Sequence, residues 1–134
     1  NTHKVVAITL YSELNTKEFT AEHELILAVI RNRAKQRHKT LMTICFQRRQ
    51  FSYWNKYWFG KWFNATSSVI DNEYSKVPTS FIKSLEKKAL IDANYGGINH
   101  FYSPKSMKPK SKVPSWAKGK KPVYKTKNFE FFAI

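Results

Sequence analysis

Apolar positions recur at helical intervals over the first third of the chain. Val6, Leu10 and Glu13 fall at i, i+4 and i+7 with Thr9 beside them, so Thr2 to Leu14 is predicted to form a helix whose apolar face ends in a carboxylate. Asn15 and Thr16 break the pattern. A second helix is predicted from about Ala21 to Arg37, with Leu25, Ala28, Val29 and Asn32 on one face. Between Leu25 and Ile30 it is apolar all round, the mark of a central, buried helix. Thr40 is placed to cap a short helix through Met42, Ile44 and Phe46, after which Gln47 to Ser52 turns the chain. From Phe51 to Phe63, eight of thirteen residues are aromatic. Phe51, Trp54, Trp58 and Trp62 are three, four and four apart, the spacing of one helical face, although Gly60 weakens a helix there. That spacing favours a core-facing helix over the other reading, a stacking wall for sugar rings or bases.

Asp71 to Lys76 reads as a polar loop. Pro78 opens a third clear helix, carrying Phe81, Ile82, Leu85, Ala89 and Asp92 at helical intervals and ended by Gly96-Gly97. Ile98 to Ser103 reads as a strand. Residues 104–122, with four prolines and a run of lysines, form a basic loop, and Val123 to Thr126 and Phe129 to Ala133 finish as two short antiparallel strands. The expected architecture is α+β, mostly helical with a small antiparallel sheet, in one domain spanning 1–134.

Charge sharpens this outline. The chain carries 24 basic and 9 acidic residues, a net charge of +15, which calls for a polyanionic partner: nucleic acid, anionic lipid or an anionic cell-wall polymer. Nine lysines lie between Lys105 and Lys127 with no acid among them. The longest apolar run, Leu25 to Ile30, is far short of the ~20 residues that cross a bilayer. Cys45 is the lone cysteine, and His3, His23, His38 and His100 lack the spacing of a helical metal site, so neither metal nor cofactor is expected. The chain opens without Met or a charged-then-apolar leader, as expected if a signal peptide was removed or never present.

Most carboxylates have a plain reading. Glu18, Glu22 and Glu24 flank a helix start, where negative charge suits the helix dipole. Asp71 and Glu73 belong to the polar loop, and Glu86 sits among Lys83, Lys87 and Lys88. Glu13 stands apart because it closes an apolar face. Desolvation there raises a carboxyl's pKa and keeps it protonated as a general acid, although pattern alone weighs towards a surface glutamate at a helix end. Asn32, half-buried, is expected to tie its helix to a neighbouring loop, and His100 to be a satisfied structural histidine.

Taken in order, Tyr11-Ser12-Glu13, Ile26 to Arg33 with Asn32-Arg33, Thr43-Ile44-Cys45, Arg49-Gln50-Phe51-Ser52, Gly96-Gly97-Ile98-Asn99-His100-Phe101-Tyr102-Ser103-Pro104, Pro114-Ser115-Trp116-Ala117 and the closing Phe129-Glu130-Phe131-Phe132 resemble the SleB-type cell wall hydrolases. These are spore cortex-lytic enzymes and their bacterial and phage relatives. The resemblance spans nearly the whole chain. It implies a lysozyme-like, lytic-transglycosylase-like domain that cleaves the β-1,4 bond between MurNAc and GlcNAc in peptidoglycan. It assigns Glu13 as the catalytic acid and Gln50, Phe51, Ser52, Asn99, His100, Tyr102 and Trp116, together with Phe101, to substrate binding. The sequence departs from the family pattern at Ser12, where glycine or alanine is commoner, and at Asn99, where threonine is usual. The aromatic stretch from Tyr53 to Phe63 has no counterpart there.

Glycosidases commonly pair two carboxylates across the bond. No second acid lies on an obviously buried face, which points to a one-acid reaction giving 1,6-anhydro ends. Hydrolysis by water, with Glu18 or Glu22 assisting, is the alternative. A basic, aromatic nucleic-acid-binding module, or a wall-binding domain without turnover, stands outside that class. The expected partner is peptidoglycan on an anionic wall or outer-membrane surface, met by a monomer in the periplasm or cell wall.

Overall fold

The computed structural model describes residues 1–48 and 50–134 of the chain; Arg49 of the Arg49-Gln50-Phe51-Ser52 motif lies outside the described residues. The architecture is α+β. Helix α1 (Thr2–Glu13) buries six consecutive residues, Val5 to Leu10, so it packs on every side rather than through the single face the periodicity predicts. It touches α2 (Ala21–Arg37), α3 (Leu41–Phe46), α4 (Ser67–Tyr74) and α5 (Thr79–Ala89), and is the axis of the helical part. Its one polar core residue is satisfied: the Thr9 hydroxyl donates to the Val5 carbonyl at 2.7 Å and accepts from the Trp54 indole at 2.8 Å.

Helix α2 is central, as its all-round apolar run requires. The Thr20 hydroxyl accepts from the His23 backbone, and the Thr20 N–H donates to His23 Nδ1 at 2.9 Å, a reciprocal cap. The helix places Glu22 and Glu24 in its first turn and Lys35 and Arg37 in its last, matching its dipole at both ends. Asn32 does tie it to a loop: its amide donates to the Asn94 and Ile98 carbonyls at 2.9 and 2.8 Å. Thr40 caps α3 through the Thr43 N–H at 3.1 Å.

Three sequence expectations are corrected. The aromatic stretch is not a helix but a 3-10 turn, Ser52–Tyr57, followed by a hairpin of β1 (Trp58–Phe59) and β2 (Trp62–Phe63). Gly60, at φ +60°, supplies the left-handed turn residue, and the tryptophans diverge accordingly: Trp54 is buried, Trp58 half-buried and Trp62 exposed. The expected polar loop at 71–76 is largely helix α4. Thr66 caps it by accepting from the Val69 N–H at 3.3 Å, and Ile70 anchors it in the core. Helix α5 stops at Ala89, well before Gly96-Gly97, because the next residues, Leu90 and Ile91, face solvent and the Arg31 guanidinium takes the Ala89 and Ile91 carbonyls. Asp92 instead pairs with Lys35 at 3.0 Å on the surface.

The second sheet has the order β3 (His100–Tyr102), β5 (Glu130–Phe132), β4 (Tyr124–Lys125), all antiparallel, with Phe101 opposite Phe131 and His100 opposite Phe132. Alternation gives it two faces. Phe101 and Phe131 stack towards the core. His100, Tyr102 and Phe132 turn outward, where Trp116 packs against all three rings and holds the proline-rich loop against the sheet. That loop, 104–122, contains 3-10 turns at Pro104–Ser106 and Ser115–Ala117 and is otherwise irregular.

Candidate functional site

Glu13 is the last residue of α1. Two clefts, of about 810 and 790 Å³, meet there and share the segment from Ser12 to Thr16. Tyr11, Tyr53, Glu73, Lys76 and Val77 complete the first cleft, between α1 and the end of α4. Glu22, Ser52, Phe101, Lys105, Lys127 and Asn128 help enclose the second, between α1 and the sheet.

The Glu13 carboxyl is half-buried and has no hydrogen bond or ion pair among the described residues. Burial alone acts on it and pushes its pKa up to about 7. Beneath it lies Cys45, fully buried; burial, opposed by a hydrogen bond with Thr9 and reinforced by the Glu13 charge, pushes that thiol up to about 12. It stays a thiol near neutrality and is no nucleophile.

The cleft's other carboxylates are held ionised. Glu73 accepts from the Lys76 ammonium at 2.6 Å and the Tyr53 hydroxyl at 2.5 Å, which hold its carboxyl below the usual range. Burial, helped by the Glu73 charge, pushes the Tyr53 phenol well above its ordinary value. Burial would raise Glu22, but hydrogen bonds from Thr126 and from the side chain and backbone of Asn128 outweigh it and lower its pKa. Those bonds tie the loop before β5 to α2. One element end thus carries an acid whose proton leaves only near pH 7, with carboxylates of lowered pKa in the clefts on either side.

The predicted site residues separate. Ser52 and Phe101 line the second cleft with Glu13. Phe51 is buried, its ring centroid 6.1 Å from that of Phe101, and presents no surface to a ligand. Gln50 turns away, accepting from Arg33 at 2.6 Å; the same guanidinium donates to the Asn99 carbonyl at 2.6 Å. Arg33 therefore clamps the turn before Ser52 to β3, with its own pKa pushed down to about 10 by burial and by Arg37. Asn99 is buried and bonds Gln36 and the Ile134 backbone. His100, Tyr102 and Trp116 lie on the outer face of the sheet, away from Glu13, because residues two apart on a strand share a face and Phe101 takes the inner one. His100 Nδ1 sits 2.9 Å from Asn99 Oδ1.

Tyr53, Glu73 and Lys76 belong to the Glu13 cleft, although the sequence pattern places Glu73 and Lys76 in a polar loop and Tyr53 in the aromatic stretch, none of them at a site. The available signal was Thr66 followed by Val69, Ile70, Glu73 and Tyr74, a cap and a helical spacing that bring residue 73 to the cleft. Among the described residues, no three His, Cys, Asp or Glu side chains gather as a metal site would. Comparisons with protein-family models, curated proteins and solved structures return no match for the chain.

Proposed function

We propose that this chain is a peptidoglycan glycosidase of lysozyme-like organisation, cleaving the MurNAc–GlcNAc β-1,4 bond with Glu13 as the proton carrier. The observation that carries the reading is a desolvated, unpaired carboxyl with a pKa raised to about 7, standing where two open clefts meet. A linear glycan laid through both clefts would bring one glycosidic oxygen to that carboxyl, with sugars on either side. The acid gives its proton to this oxygen as the C1–O bond breaks and oxocarbenium character grows. The muramyl 6-hydroxyl then attacks C1, closing the 1,6-anhydro ring, and its proton returns to the Glu13 carboxylate. Because the hydroxyl is tethered to the reacting sugar, this step gains effective molarity. Lys105 and Lys127 at the second cleft, and the lysine-rich loop beyond, would draw the enzyme to an anionic wall, the site of action we assign to it.

One observation favours hydrolysis as a second reading: Glu73, held ionised, lines the first cleft with Glu13. Hydrolysing glycosidases use an ionised carboxylate across the bond from a protonated one to activate water, the role Glu73 would take in the cleft it shares with Glu13. Of the two helpers that the sequence suggests, Glu18 and Glu22, the second is already committed to Thr126 and Asn128. Digestion of purified peptidoglycan, read by mass spectrometry of the fragments, tests the proposal. Anhydro-muramyl ends support the one-acid reaction, and new reducing ends support the Glu73-assisted one. No soluble fragments from folded protein would overturn both.

A further inference from the structure

The β1–β2 hairpin stands outside both Glu13 clefts and has an unusual division of labour. Its cross-strand pair Trp58–Phe63 is the anchoring face: the Trp58 indole donates to the Phe46 carbonyl at 2.9 Å, and the Phe63 ring lies 4.4 Å from that of Phe46. The other pair, Phe59–Trp62, faces solvent, with 61% and 78% of their surfaces exposed. Alternation puts polar residues on the outer face of a hairpin packed on one side. Here the two largest apolar side-chain types occupy it, next to the tight Gly60-Lys61 turn. A pair of aromatics at a loop tip, each with an apolar body, is suited to the boundary between headgroups and acyl chains.

The surrounding charge selects the kind of surface. Between Glu24 and Asp71 the chain contains nine Lys or Arg and no Asp or Glu. Lys61 sits in the turn itself. Lys39 and Arg48 line the shallow depression beside Trp58 and Phe63, and Lys56 rests over the Tyr53 and Tyr57 rings at 4.6 and 5.4 Å. Glu73, the carboxylate that reaches Tyr53, is already bridged to Lys76. Exposed aromatics on a segment whose Lys39, Arg48, Lys56 and Lys61 make no ion pair among the described residues match an anionic phospholipid bilayer, whose surface attracts the cations while its interface accepts the rings.

We propose that the Phe59–Trp62 edge of this hairpin docks the protein on anionic phospholipid membranes by inserting both rings at the interface. This rests on different residues from the catalytic proposal. The test is co-sedimentation of the intact protein with vesicles of equal parts phosphatidylglycerol and phosphatidylcholine, and with vesicles of phosphatidylcholine alone. The parent binds the anionic vesicles, and its tryptophan emission shifts to the blue and is quenched by brominated lipid. The Phe59→Ser/Trp62→Ser double variant partitions about ten- to a hundredfold more weakly, while its circular dichroism and its digestion of dispersed peptidoglycan match the parent's. Lys61→Gln weakens binding to anionic vesicles and leaves the feeble binding to neutral ones unchanged. Equal binding by double variant and parent would overturn the proposal, reducing the attraction to net charge. So would loss of binding to purified wall rather than to vesicles, which would make the pair a sugar-stacking surface.

Discussion

A carboxyl at the end of a buried helix meets two competing demands, solvation of its charge and packing of its neighbours. At Glu13 packing prevails, and the proton stays on to about pH 7. Around it, single hydroxyls separate the residues that reach the acid from those that do not. Ser52 shares a cleft with Glu13, so Ser52→Ala should lower turnover on peptidoglycan severalfold, the value of one lost hydrogen bond to a sugar, with little change in stability. Tyr102→Phe should leave turnover unchanged, since that hydroxyl lies across the sheet. Equal rate losses in the two variants would contradict this placement. Asn32→Ala should cost about 1–3 kcal/mol in denaturant unfolding, because it strips the donor from the buried Ile98 carbonyl and unties α2 from the Asn94 carbonyl. At this scale the sequence was informative where one residue sufficed: Glu13 closing an apolar face, or Asn32 amid leucine and valine. It misled where two neighbours in a motif take opposite sides of a strand, as Phe101 and Tyr102 do.

Elements form where local preference and tertiary cover agree. The all-round apolar run of α2 made that helix legible, and Thr40 marked the start of α3, whereas the cap of α2 is Thr20 rather than the Asn15-Thr16 break before it. The aromatic stretch defeated periodicity because tryptophans at positions 54, 58 and 62 mimic a helical face, while Gly60 and the cross-strand pairs decide for a hairpin. Helix α4 was missed for the opposite reason: its polar residues hide a single buried anchor, Ile70. The lysine loop is held to the sheet by Trp116 and Ala117 and exposes its charges, so it contributes little core. Replacing Lys108, Lys110, Lys112, Lys118 and Lys120 by glutamine together should weaken binding to purified wall and flatten its salt dependence, at nearly unchanged melting temperature. Undiminished binding at low salt would show that the loop is a bystander.

Across the whole molecule, two buried groups pull the pH dependence of stability in opposite directions. Glu13 has its folded pKa raised from 4.5 to about 7, so its protonated form favours folding and its contribution falls as pH rises through that window. His23, with its pKa lowered from 6.5 to about 4 by burial against the opposing pull of Glu22, is folded as neutral imidazole and does the reverse, losing stability as pH falls from 6.5 towards 4. The parent should therefore melt at a nearly constant temperature between about pH 4.5 and 6.5. Glu13→Gln should uncover the His23 slope, with a melting temperature that climbs across the same interval and exceeds the parent's above pH 7. Scanning calorimetry across this range reads both curves, and parallel profiles would mean that Glu13 is solvated like an ordinary glutamate.

The same substitution bears on function. Glutamine keeps the shape and helix propensity of glutamate but neither gives nor takes the proton. Initial rates on purified peptidoglycan, measured for parent and Glu13→Gln at equal folded concentration and with wall binding shown to be equal, should differ by at least ~10²–10⁴, since in the proposed reaction one group would serve both proton transfers. A Glu13→Gln protein that binds the wall and digests it at the parent rate would contradict the assignment of Glu13 as the proton carrier.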